Sequence, residues 1–134
     1  MKGDNVRVDS VMQNEPLFID GLSSVADALR QMRQNGVSSL VIEKRHPGDE
    51  YGFLTVTEIA QHVIAVNKPL ERTAVYEIME KPILTVAPDM HVKYAVRLLA
   101  QLQRRRALVE DDSGLLGFVS LRDLVLSYGD NGAV

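Results

Sequence analysis

Apolar positions recur along this chain in two spacings, and each spacing occurs twice. Val25, Ala28, Leu29 and Met32 stand at i, i+3, i+4 and i+7, and Val92, Ala95, Val96 and Leu99 repeat that pattern. Such spacing marks the buried stripe of an amphipathic helix, so it predicts one helix around each set. A short apolar run follows each helix: Leu40-Val41-Ile42 in one place, Ala107-Leu108-Val109 in the other. Turn-forming residues come next, His46-Pro47-Gly48-Asp49-Glu50 and the shorter Asp111-Asp112-Ser113-Gly114. Beyond them the chain resumes as Gly52-Phe53-Leu54-Thr55-Val56-Thr57-Glu58-Ile59 and Gly117-Phe118-Val119-Ser120-Leu121-Arg122-Asp123-Leu124. Runs of this kind on either side of turn chemistry read as β-hairpins.

The chain is therefore written twice. An offset of 67 places Met12 on Met79, Val25 on Val92, Ala28 on Ala95, Arg30 on Arg97, Gln34 on Gln101 and Glu43 on Glu110; past the hairpins the offset becomes 65. Only Thr57 against Arg122 changes character in the final matched stretch. Each copy reads as short strand, helix, strand, turn, strand, helix, an α+β unit. The expected division is a first motif over 1–66 with its N-terminal segment, a linker over 67–77 around Asn67-Lys68-Pro69, a second motif over 78–128, and a tail over 129–134. A unit of ~60 residues has little core of its own. Two copies are thus expected to pair about a pseudo-twofold axis, with clefts where strands end and helices begin.

Composition narrows the function. The 134 residues carry 15 basic and 18 acidic side chains, a net charge of −3, which argues against a life on nucleic-acid phosphates. Cysteine is absent, which excludes a disulfide scaffold and thiolate metal sites. No apolar run approaches the ~18–20 residues a bilayer span needs, and Asp4, Asp9 and Glu15 take the place of a signal-peptide core. The expectation is a soluble cytoplasmic protein with no membrane or nucleic-acid partner. His46, His62 and His91 have no ligand partner at helical spacing, so no metal site is expected. Met12 and Met79 read as core plugs.

The chemistry-bearing positions are the two second-helix starts, Gly52-x-x-Thr55-x-x-Glu58 and Gly117-x-x-Ser120-x-x-Asp123. A hydroxyl three residues before an acid is a capping box, in which both side chains satisfy unpaired backbone N–H groups. The same physics offers free N–H donors and a favourable dipole to an anion, and an acid in the first turn can accept ribose hydroxyls. The motif alone does not separate the two roles. Ser120 has no base at a recognisable spacing and no nucleophile-elbow sequence, and no nucleophile–base–orienter cluster occurs elsewhere, so no catalytic residue is assigned.

The repeated order of these features resembles a pair of CBS motifs, the module named after cystathionine β-synthase, over about residues 6–128. The resemblance rests on Val11-Met12 and Ile78-Met79, on Leu84-Thr85-Val86-Ala87-Pro88-Asp89, on the alanine-containing helices and on both helix-start motifs. It implies a regulatory module that binds AMP, ADP, ATP or S-adenosylmethionine in composite clefts, as ligands rather than as a required cofactor. Carried over by position, it places Ser120 at phosphate and Asp123 on ribose in one cleft, with Leu17, Phe18, Ile19 and Gly21 around the base. In the other it places Thr55 and Glu58 with Ile83, Thr85 and Pro88, and Val109 behind the base. Arg105 and Arg106 stand where similar modules place phosphate-contacting residues, although cations after a helix also suit its dipole. Two departures stand out. Phe18-Ile19-Asp20-Gly21 replaces the family's Thr-Val-x-Pro, and Glu58 replaces an aspartate, moving the carboxylate by about 1–1.5 Å.

A sensor of this kind signals to a target protein, which the sequence does not name. The alternative is an unliganded dimeric scaffold whose clefts only cap helices. In either case the second helices carry surplus apolar residues: Ile59, Ala60, Val63, Ile64 and Val66 in one, Leu121, Leu124, Val125 and Leu126 in the other. One stripe covers a core, so the surplus predicts a homodimer.

Overall fold

A computed structural model of the chain describes residues 6–130. Its elements in chain order are β1 (Gln13–Asn14), β2 (Phe18–Ile19), α1 (Val25–Asn35), β3 (Ser39–Ile42), β4 (Gly52–Thr55), α2 (Val56–Ile59), β5 (Thr85–Val86), α3 (Val92–Gln101), β6 (Arg106–Asp111), β7 (Gly114–Ser120) and α4 (Leu121–Asp130). Two compact units result: Leu17–Ile83, and Leu84–Val134 joined by Met1–Pro16.

In the unit Leu17–Ile83 the sheet order is β2-β3-β4, with β2 parallel and β4 antiparallel to β3. Helix α1 starts where the Ser24 hydroxyl accepts the Asp27 N–H at 3.0 Å. It stops at Gly36, whose φ of 64° returns N–H bonds to the last turn. Val25, Ala28 and Met32 of its stripe are buried against Leu40, Ile42 and Leu54 of the sheet, with Leu29 packed at the edge. Helix α2 continues through a π-helical turn, Ala60–Ile64, which still buries Val63.

The stretch expected as a linker belongs to this unit. Val75 is fully buried, and the Val75 N–H donates to Ser23 O at 2.8 Å while the Val25 N–H donates to Thr73 O at 2.8 Å. Farther on, Glu80 and Phe53 exchange both backbone bonds, at 2.8 and 2.9 Å.

The other unit repeats the plan. Its sheet order is β1-β7-β6-β5, with β5 parallel to β6 and the other pairs antiparallel. Val92, Ala95 and Leu99 of α3 are buried with Ala107, Val109, Val119 and Leu124. The N-terminal segment docks here: Val8 is fully buried, its N–H donates to Met90 O at 2.8 Å, and Gln13 pairs with Phe118. Under the repeat offsets, Gln13–Phe118 matches Glu80–Phe53. The segment leading into each repeat thus pairs with the last strand of the other repeat, so the compact units are not the two contiguous halves of the sequence. Met79 and Met12 pack at the edges of the two cores. Of the expected tail, Gly129 and Asp130 complete α4. Positions 131–134, like 1–5 of the N-terminal segment, lie outside the described residues.

Close approach explains two glycines. A Cβ on Gly117 would lie 2.2 Å from the Gln13 carbonyl oxygen, and one on Gly52 would lie 2.6 Å from Met79 Sδ. These are the places where each lead-in segment crosses its last strand.

Candidate functional site

The two helix starts share a motif and differ in geometry. At α2 the box is closed. Thr55 Oγ1 accepts the Thr57 N–H at 3.2 Å, and Glu58 Oε1 accepts both the Thr55 N–H at 2.7 Å and the Thr55 hydroxyl at 2.9 Å. Thr55 is 8% exposed. Hydroxyl and carboxylate therefore satisfy each other and the first turn, as the capping reading expects. The extra methylene of Glu58 gives the carboxylate the length to fold back.

At α4 the box is half open. Ser120 Oγ accepts the Asp123 N–H at 3.1 Å, while the Asp123 carboxylate accepts from the neighbouring Arg122 guanidinium at 3.1 Å. Strand pairing brings basic residues to this spot: Arg106 pairs with Ser120 in the β6–β7 ladder, and the Leu121 N–H donates to Arg105 O at 2.7 Å. Arg105, Arg106, Ser120, Arg122 and the apolar Leu121, Val125 and Leu126 line one open hollow of about 520 Å³. Cations, a hydroxyl at a helix start and an apolar wall together suit an anionic group on an apolar or aromatic body.

The remaining expected residues are spread across both units. Leu17, Phe18, Ile19 and Gly21 belong to the unit of Thr55, Glu58 and Ile83, whereas Thr85, Pro88 and Val109 belong to the unit of Ser120 and Asp123. Ile19 and Ile83 are each 7% exposed, and Val109 is fully buried within its core, so its side chain presents no surface. Phe18 is 38% exposed, with its ring centroid 6.1 Å from that of Tyr51. Thr85 is exposed beside Leu108. Within their own units, Gly21 and Pro88 line hollows at the hairpin end of the sheet, away from the helix starts. Arg122 lines the α4 hollow and holds Asp123, yet was not expected there; its departure from Thr57 was the available signal. Among the described residues no group of three or more His, Asp or Glu is placed to hold a metal ion.

The CBS domain family matches this chain twice, over residues 8–65 and 75–130. The chain belongs to the CBS domain family. Its structure resembles that of a hexameric CBS-CP12 protein from bloom-forming cyanobacteria, with 36% identity, a TM-score of 0.83, and coverage of 90% of this chain and 71% of that one. A CBS domain-containing protein of Bacillus subtilis is 27% identical over 92% of this chain and 86% of its own length. An uncharacterized protein of Methanopyrus kandleri is 29% identical over 90% of this chain. The chain spans 62% of the length of that archaeal relative and 64% of a mitochondrial CBS domain-containing protein of Arabidopsis thaliana. CBS pairs are regulatory modules that commonly bind adenosine-containing ligands, and none of these relatives carries an enzyme's name. Among the described residues no helix is long and apolar enough to cross a membrane.

Proposed function

We propose that this CBS pair senses an adenosine-containing ligand (AMP, ADP, ATP or S-adenosylmethionine) at the α4 helix start and relays its presence to a partner protein. One observation carries the reading: Arg105, Arg106 and Ser120 share a hollow with Arg122, and the Asp123 carboxylate bonds to that arginine instead of folding into a capping box. In this reading Ser120 and the two arginines meet phosphate, or the carboxylate of S-adenosylmethionine, and Asp123 accepts ribose hydroxyls. Thr55 and Glu58 act first as a cap, so the second site is the weaker one. The protein binds its ligand without converting it and works as a cytoplasmic homodimer. The exposed apolar residues Ile64, Val66, Val125 and Leu126, each at least 48% exposed, supply the contact surface. The hexameric cyanobacterial relative also favours self-association.

The test is a thermal-shift and calorimetric series with AMP, ADP, ATP and S-adenosylmethionine, with GMP and CMP as controls. Saturating adenosine ligand at about one hundred times its Kd should stabilise the fold by about 2.7 kcal/mol. A flat response to all four ligands at millimolar concentration would leave the unliganded scaffold as the better description.

A further inference from the structure

A second hollow, of about 320 Å³, opens at the hairpin end of the unit Leu17–Ile83. Its floor is Ile42, 2% exposed, together with the Met79 thioether, and Tyr76 stands at its side. In the β3–β4 ladder Ile42 pairs with Gly52 and Ser39 with Thr55. The hollow is therefore three residues, about 10 Å, along the sheet from the Thr55–Glu58 cap. It is separate from that unit's helix start.

Its rim carries Asp20, Glu43, Lys44, Arg45 and Lys81. Three of these are engaged. Lys81 Nζ lies 2.8 Å from Asp49 Oδ1, Lys44 Nζ stands 4.7 Å from the Tyr51 ring centroid, and Asp20 Oδ1 accepts the Leu22 N–H at 2.8 Å. The Arg45 guanidinium and the Glu43 carboxylate have no side-chain partner among the described residues. Of the five charged residues on the rim, the cation Arg45 and the anion Glu43 thus border the apolar-floored hollow outside these contacts.

The repeat supplies an internal comparison. At the offset of 67, Glu43 corresponds to Glu110, Lys44 to Asp111 and Arg45 to Asp112, and these residues also line a hollow, with Arg7 and Asp89. The acid is common to both copies. The cations are not, and Asp111 there serves its own turn by accepting the Ser113 N–H at 2.8 Å. A requirement of the hairpin fold would appear at the same positions in both copies, whereas the run of acid and cations at 43–45 becomes three acids at 110–112, where the cation of the hollow is Arg7 from the N-terminal segment.

We infer that this hollow binds a small zwitterion with an apolar body, of the free α-amino acid type. Its carboxylate meets Arg45, its ammonium meets Glu43 with the outer oxygen of Asp20, and its side chain rests on Ile42, Met79 and Tyr76. Charge-assisted bonds at both ends set the orientation, and the volume is at the small end for ligand pockets.

The test is titration of the full chain with L-leucine, L-methionine and L-phenylalanine, read by calorimetry and by amide shifts in ¹H–¹⁵N spectra. Saturable binding by at least one of them, with shifts centred on Gly21, Ile42 and Tyr76, is expected. N-acetyl-L-leucine lacks the ammonium, L-leucinamide lacks the carboxylate, and glycine lacks the apolar body; each should bind at least tenfold more weakly. Arg45→Ala and Glu43→Gln, both at exposed positions, should keep the wild-type fold by circular dichroism, weaken binding at least tenfold, and leave any response to AMP unchanged. No saturation by any of the three up to about 10 mM would overturn the inference. So would binding that both variants retain, full binding of the acetylated or amidated compound, or shifts centred on Ser120.

Discussion

Replacing Gly117 by alanine probes the crossing that defines the unit of β1 and β5–β7. The new Cβ would sit 2.2 Å from the Gln13 carbonyl oxygen and 3.2 Å from its carbon, while real Cβ contacts essentially never fall below 3.0 Å. Strand β1 must therefore move by at least 0.8 Å, the difference between 3.0 and 2.2 Å. Main chain held by ladder bonds to β7 cannot swing aside as a side-chain end can. Overpacking of this sort costs about 1–3 kcal/mol, and a main-chain obstacle places the substitution in the upper half of that range. For a chain of this size the melting temperature should fall by roughly 6–12 °C. Gly52→Ala meets the Met79 thioether instead, which can change rotamer, so its cost should stay below about 1.5 kcal/mol. Gly129→Ala has nothing within 4 Å and lies in α4, so it should be neutral or stabilise by up to about 1 kcal/mol. Urea denaturation and calorimetry at neutral pH give all three values. The reasoning fails if Gly117→Ala lies within about 0.5 kcal/mol of wild type, or costs less than Gly52→Ala.

Other consequences can be checked alongside. Asp123→Asn should weaken binding of an adenosine ligand at least tenfold in calorimetry with little loss of stability, whereas Glu58→Ala should cost about 0.5–2 kcal/mol of stability through the opened cap and change affinity less. Ser24→Ala removes the acceptor for the Asp27 N–H and should cost about 0.5–2 kcal/mol in denaturant titration. The Lys81 ammonium, with N–H groups of Arg45 and Glu50, holds the Asp49 carboxyl well below the usual carboxylate range. A lowered folded-state pKa contributes stability that is complete above the unfolded value of about 3.9 and is lost as pH falls below it. The melting-temperature gap between wild type and Asp49→Asn should therefore be constant near neutrality and close in acid; a gap that widens below about pH 4 would contradict the assignment. Light scattering should give twice the 14.9 kDa chain mass, with Val125→Glu shifting the protein to monomer.

Much of this architecture is legible in local spacing. The stripes Val25-Ala28-Met32 and Val92-Ala95-Leu99 are buried as their periodicity requires, and both hairpins fall at the turn residues. What spacing does not carry is which copy a short segment joins. Strand β1 is two residues long and the Val75–Glu77 turn three, too short for any period to register. Their partners are chosen by the burial of Val8 and Val75 and by the space left at Gly117 and Gly52, which are tertiary facts. The candidate site divides the same way. Ser120 and Asp123 are visible as a motif, whereas their proximity to Arg105 and Arg106 depends on strand register and the role of Arg122 on a side-chain bond.

The contrast between the two helix starts shows how a duplicated motif can divide its work. A helix start has four unpaired N–H groups, and a threonine with a glutamate satisfies two backbone donors there from within the chain. That closure ties up the Thr55 hydroxyl, and Glu58 makes it possible because its carboxylate reaches both the backbone N–H and the hydroxyl of Thr55. Asp123 is one methylene shorter and turns to Arg122, so the Ser120 hydroxyl is not held by the carboxylate as the Thr55 hydroxyl is. Exchanging the two acids tests whether side-chain length alone decides. Asp123→Glu should close the α4 box, raising stability by up to about 1 kcal/mol while weakening adenosine-ligand binding; Glu58→Asp should lower stability and open the α2 site. If Asp123→Glu binds as tightly as wild type, length is not the determinant, and the arginines beside Ser120 must carry recognition by themselves.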